Sequence, residues 1–135
     1  MERTIVVNVL ADNGTEELRL SLIDRGGERV IESSRTFSGK QIFAGMDFFE
    51  AFQRFRSAVE SEGFLILCQG SSRYFRTSPM LKEASKGLKG YSVRIGKSTS
   101  RDDVVDLFDA ATQDTVVSAN EQREYIEKWL KSLKN

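Results

Sequence analysis

Apolar and polar residues alternate through the first third of the chain, the period of strands with one buried face. Ile5, Val7 and Val9 share one side of the stretch from Thr4 to Leu10. After Asp12-Asn13-Gly14, which suits a hairpin loop, Leu18, Leu20 and Leu22 repeat the pattern. Gly26-Gly27 makes a second turn into Glu28 to Thr36, where the alternation is less clean. The pattern predicts a three-stranded antiparallel meander.

From Met46 to Glu62 the period changes. Phe48, Ala51, Phe52, Phe55, Ala58 and Val59 recur at three- and four-residue spacing, which predicts an amphipathic helix. Gly63 stands where a helix end needs a left-handed residue, and Phe64 to Cys68 reads as a strand buried on both faces. Ser, Arg, Lys and Gly dominate residues 71 to 90, and the sole proline, Pro79, interrupts any long element. A loop with a short helix near Leu81 to Ser85 is expected there. Tyr91, Val93 and Ile95 alternate as in a strand, while Val104 to Ala110 suits either period and is read as a strand. Ser118 and Glu121 have capping-box spacing ahead of a last helix whose apolar face is Tyr125, Ile126, Trp129, Leu130 and Leu133.

These elements predict an α+β fold: one domain over residues 1–135, with a mainly antiparallel sheet of about six strands and two amphipathic helices packed on it. At 135 residues, 39% hydrophobic and 30% charged, the chain has the size and composition of one folded domain. Its longest apolar run, five residues from Phe64 to Cys68, falls far short of the roughly 20 that a membrane-spanning helix needs. No membrane partner is expected. Met1-Glu2-Arg3 lacks the charge pattern of an export signal, and the single Cys68 allows no internal disulfide, so the expected compartment is the cytoplasm.

Chemistry is constrained by what the chain lacks. It has no histidine, which removes the commonest general acid/base and the commonest zinc ligand. Cys68 ends an apolar run, where burial disfavours a thiolate. The carboxylates Asp102, Asp103, Asp106, Asp109 and Asp114 lack the spacing of a metal loop, and Gly87-Leu88-Lys89-Gly90 lacks that of a phosphate loop. No cofactor and no metal are expected. A serine–lysine dyad among Ser71, Ser72, Ser78, Lys82 and Lys86, or a carboxylate mechanism, is the enzymatic chemistry that survives.

Twenty basic and twenty acidic side chains cancel, but unevenly along the chain. Residues 71 to 101 carry eight basic side chains against Glu83 alone, a net of plus seven, whereas residues 102 to 135 carry eight acidic against four basic. Tyr74, Phe75 and Tyr91 lie among the cations. Such a segment suits an acidic protein surface, and equally the phosphates and bases of a nucleic acid. The acidic stretch from 102 to 114 suits a basic cleft. The candidate partner-binding residues, chosen by charge and expected exposure, are Arg73, Tyr74, Arg76, Lys82, Lys86, Arg101, Asp102, Asp103 and Asp106.

The C-terminal half also carries a set of short motifs: Cys68-Gln69-Gly70-Ser71-Ser72-Arg73, Ser78-Pro79-Met80, Lys89-Gly90-Tyr91, Val105-Asp106-Leu107-Phe108-Asp109, Glu121-Gln122 and Trp129-Leu130. Together, over about residues 64–133, they resemble the small bacterial immunity proteins of contact-dependent growth inhibition systems and related polymorphic toxins. The resemblance implies a protein without turnover that binds and neutralises a cognate toxin domain in the cytoplasm. It carries over no toxin-contacting positions. The expectation is therefore a non-enzymatic immunity protein, with a nucleic-acid-binding module on the basic segment 71–101 as the alternative and an enzyme of unknown type as the second alternative.

Overall fold

In the computed structural model, which describes residues 2–134, the alternating N-terminal segments pair as antiparallel strands. The chain divides into two compact units, Met1–Leu67 and Cys68–Asn135, and each is described by itself. Met1, part of the expected non-signal start, and Asn135 lie outside the described residues.

The first unit is a curled five-stranded antiparallel sheet with one helix. Strands β1 (Glu2–Ala11), β2 (Gly14–Asp24), β3 (Arg29–Phe37) and β4 (Lys40–Gly45) follow one another as a meander, and β5 (Leu65–Ile66) adds to the other side of β1, giving the order β4-β3-β2-β1-β5. The meander thus has four strands rather than the expected three. The clean alternation fails in β3 because its register against β4 shifts between Glu32 and Phe37, a bulge that displaces residues from face to face. The apolar run after Gly63 forms only the two-residue edge strand β5, not a central strand, since β1 takes its long partner from β2.

Helix α1 (Phe48–Ser61) follows its sequence pattern closely. Asp47 caps it by accepting a bond of 2.8 Å from the Glu50 amide, and Gly63 adopts φ 86 just beyond its end. Phe48, Ala51, Phe52, Phe55 and Val59 are all fully buried, facing Leu18, Leu20, Leu22, Ile31 and Phe37 of the sheet unit's core. Phe55 sits 5.9 Å from Phe37 edge-on and 5.3 Å from Phe43, ring centroid to ring centroid. Arg56, on the same helix, is buried and pairs with Glu60 at 2.7 Å.

In the second unit the strands are short: β6 (Phe75–Arg76), β7 (Lys89–Ser92) and β8 (Val104–Asp106) form a three-stranded antiparallel sheet. The expected strand from Val104 to Ala110 ends at Asp106, and Cys68 makes an isolated bridge with Ala110 instead. Helix α2 (Pro79–Ser85) starts with proline at its first turn, where no amide partner is needed, and Ser78 caps it. Helix α3 (Ala119–Ser132) is capped by Ser118, whose hydroxyl oxygen accepts from the Glu121 amide at 3.3 Å and lies 3.2 Å from the Glu121 carboxylate. The protein is an α+β fold whose strands divide between two antiparallel sheets rather than forming one of about six.

Replacing Phe55 by alanine empties the space between two rings in the first unit, and is expected to cost roughly 3–5 kcal/mol. Denaturant unfolding of Phe55→Ala checks this; a loss below about 1 kcal/mol means α1 does not anchor the sheet.

Candidate functional site

Because β6, β7 and β8 are so short, backbone groups of the second unit find partners outside the ladder. The side-chain amide of Gln122 on α3 donates to the carbonyls of Gly70 at 2.9 Å and Ser72 at 2.7 Å. About two turns further on, Trp129 is buried and its indole N–H donates to the Lys97 carbonyl at 2.8 Å. Ser132 accepts from the Gly96 amide at 2.8 Å. Helix α3 is thereby bonded to two segments distant in sequence, residues 70–72 and 96–97. Between β6 and β7, Gly90 lets the Phe75 ring lie against the backbone: a Cβ there meets Phe75 Cζ at 2.4 Å and Cε2 at 2.6 Å.

Phe75 turns into the core, so its neighbours Tyr74 and Arg76 share the opposite side of the chain. Tyr74 meets Tyr125 of α3 edge-on, with centroids 5.2 Å apart. Arg94 lays its guanidinium 4.0 Å from the Tyr74 ring centre and also donates to the Ser92 hydroxyl and the Val93 carbonyl, each at 3.1 Å. Arg76 lies 5.3 Å from the Trp129 ring. Arg73 lies 5.9 Å from Tyr74 and donates to the Asp114 carbonyl at 2.9 Å, while its Nε is buried without a partner. Among the described residues, none of Arg73, Arg76 and Arg94 is ion-paired with a carboxylate. Rings and carbonyls fix these three cations and leave their charge uncompensated, an arrangement suited to carboxylate or phosphate.

The nine residues expected at the interface do not all gather here. Arg73, Tyr74 and Arg76 belong to the cluster. Lys82 is half-buried on α2, and Lys86 is the exposed left-handed residue, φ 58, that ends that helix. Arg101 and Asp102 are exposed on a single 3₁₀ turn, and the Asp103 carboxylate closes that turn by accepting from the Ser100 amide at 2.8 Å. Asp106 pairs with Lys89 at 2.7 Å directly across β7 and β8. The basic and acidic segments are therefore not two opposed faces. Sheet register brings them side by side at Lys89 and Asp106, and Arg94, Lys97 and Asp103 line one small cavity of about 50 Å³.

Arg94, Tyr125 and Trp129 were absent from the expected interface. Their signal was present in the sequence, since Tyr125 and Trp129 have the i,i+4 spacing of one helix face, but that spacing also describes core, and Trp129 is core as well. The serines of the conceivable serine–lysine dyad sit in structural places. Ser71 and Ser72 are buried, Ser72 Oγ accepts from the Tyr74 amide, and Ser78 Oγ caps α2. Cys68 is fully buried. Among the described residues no group of three or more cysteines and carboxylates is placed to hold a metal ion, and no helix is long and apolar enough to cross a membrane.

Compared with models of known protein families and with curated protein sequences, the chain matches none.

Replacing Gln122 by alanine removes the side-chain donor from the Gly70 carbonyl and one of two donors from the Ser72 carbonyl, which also accepts from the Phe75 amide at 3.1 Å, and is expected to cost about 1–3 kcal/mol. Thermal unfolding of Gln122→Ala is the check. An unchanged midpoint means that those bonds do not hold α3 in place.

Proposed function

We propose that this protein acts without turnover, by binding an acidic surface of another protein, and that the partner is a toxin domain which it neutralises in the cytoplasm. One observation carries the binding part: three guanidiniums, Arg73, Arg76 and Arg94, are held against aromatic rings and carbonyls with, among the described residues, no carboxylate paired to them. Guanidiniums prepared in this way lose little side-chain freedom when they bind, and charge complementarity sets partner choice and association rate. The toxin assignment is supported by the motif resemblance over about residues 64–133 and by a chain with no histidine and an enclosed thiol.

Nucleic acid is the second reading, favoured by the same cations and rings. The Tyr74 ring, however, has Arg94 at 4.0 Å from its centre and Tyr125 at its edge, which leaves less of it for stacking on a base. For this reason an acidic protein surface is preferred.

An immunity gene is expected directly beside a large gene whose variable 3′ end encodes a toxin domain, and the two products are expected to co-purify. The double variant Arg76→Glu, Arg94→Glu is expected to weaken that complex at least tenfold by calorimetry, in keeping with the loss of one or two charge pairs. An affinity unchanged within about twofold sinks the assignment of this surface. Salt-sensitive binding of a labelled single-stranded RNA, abolished by the same double variant, with no toxin partner, favours the second reading.

A further inference from the structure

The first unit carries a different recognition surface. Strand β4 is the outermost strand of its sheet, with β3 on one side and, among the described residues, no strand on the other. Beside that free edge runs α1, and between the two lies a groove of about 550 Å³. Lys40, Ile42 and Ala44 line it from β4, and Arg54, Ser57 and Ser61 from successive turns of α1.

Backbone polarity at this edge is partly visible. Arg54 Nη1 donates to the Ala44 carbonyl at 2.7 Å, so that carbonyl points away from β3 and into the groove. In an extended strand the peptide groups two residues apart face the same way, which places those of Ile42 on the free side as well. Ile42 is 60% exposed, and no proline or inward-facing charge blunts this edge between Lys40 and Gly45. Beyond Ala44 the Met46 amide donates to Glu50 at 3.2 Å, and at the other end of the strand the Ser38 and Ser61 hydroxyls, which line the groove, meet at 2.7 Å.

Charge selects the occupant. The two charged residues lining the groove, Lys40 and Arg54, are both positive; Lys40 is exposed, and Arg54 shares its charge with Glu50 in an exposed pair at 3.5 Å, which is weak enough for a second carboxylate to join. A second copy pairing antiparallel through the same edge about Ile42 sets each Lys40 opposite the other copy's Ala44, whose carbonyl holds Arg54, so that cation meets cation, and like charges set against one another are destabilising. An extended segment with carboxylates at alternate positions does the reverse, while main-chain bonds to β4 supply affinity independent of sequence. We propose that the β4–α1 groove takes up an extended acidic segment of a partner protein, which pairs with β4 as a sixth strand and sets carboxylates against Lys40 and Arg54. This surface is separate from the arginine–aromatic cluster, and its test stands or falls apart from that reading.

The probe is a fluorescein-labelled eight-residue peptide of alternating valine and glutamate, titrated with the full chain by anisotropy at low salt. Saturable binding is expected, weakened at least tenfold by Lys40→Glu with Arg54→Glu and unaffected by Arg76→Glu with Arg94→Glu. The same peptide with lysine in place of glutamate is expected not to bind. Ile42→Pro, which removes an edge amide, is expected to abolish binding, and the two charge reversals serve where that variant fails to fold. The proposal is overturned by an absence of saturable binding, by affinity unchanged in Lys40→Glu with Arg54→Glu, or by sedimentation showing a dimer that those reversals or Ile42→Pro alter.

Discussion

The side-chain amide of Gln122 is the bond on which the second unit turns. A sheet with strands of two, four and three residues satisfies few of its own peptide groups, so the remainder must be met by side chains or turns. Gln122 meets two carbonyls at once, and Trp129 meets a third through its indole N–H. With α3 held in this way, Tyr125 and Trp129 become fixed surfaces. The arginines then have rings to lie against: Arg76 over Trp129, and Arg94 over Tyr74, itself braced by Tyr125. Function as proposed is thus a consequence of a packing necessity.

The same economy governs charge. The eight cations between residues 71 and 101 do not become a uniform basic face. Lys89 is spent on Asp106 across the sheet, an exposed pair that contributes about 0–1 kcal/mol and removes one cation from display. Arg73 is partly enclosed beside Asp114. What stays available is a small set of guanidiniums of fixed orientation, and orientation favours a particular arrangement of acidic groups over any polyanion.

Much of this fold was legible in the sequence where a single period dominated. The Phe48–Val59 stripe, the Ser118 cap and the leucines of β2 behave as their spacing demands, because each residue's environment depends on near neighbours along the chain. Strand β4 was missed. Its six residues follow Phe37 after only Ser38-Gly39, both at positive φ, and the bulge in β3 hides the hairpin that joins them. Within the candidate surface, Arg73, Tyr74 and Arg76 could be named from charge and aromatic content. Arg94, Tyr125 and Trp129 could not be separated from loop and core, since the contacts of Tyr125 with Tyr74 and of Trp129 with Arg76 depend on how α3 docks. The pairing of Lys89 with Asp106 depends on strand register, which no local pattern contains.

The account rests on the arginine–aromatic surface being the place where the partner sits. Amide hydrogen exchange of the full chain, alone and with the proposed toxin partner, tests this most directly. Slower exchange on binding is expected at residues 73–76, 94–97 and the Tyr125–Trp129 turn of α3. Protection confined to the 3₁₀ turn at Arg101–Asp103 and to Asp106, with none at those positions, contradicts it.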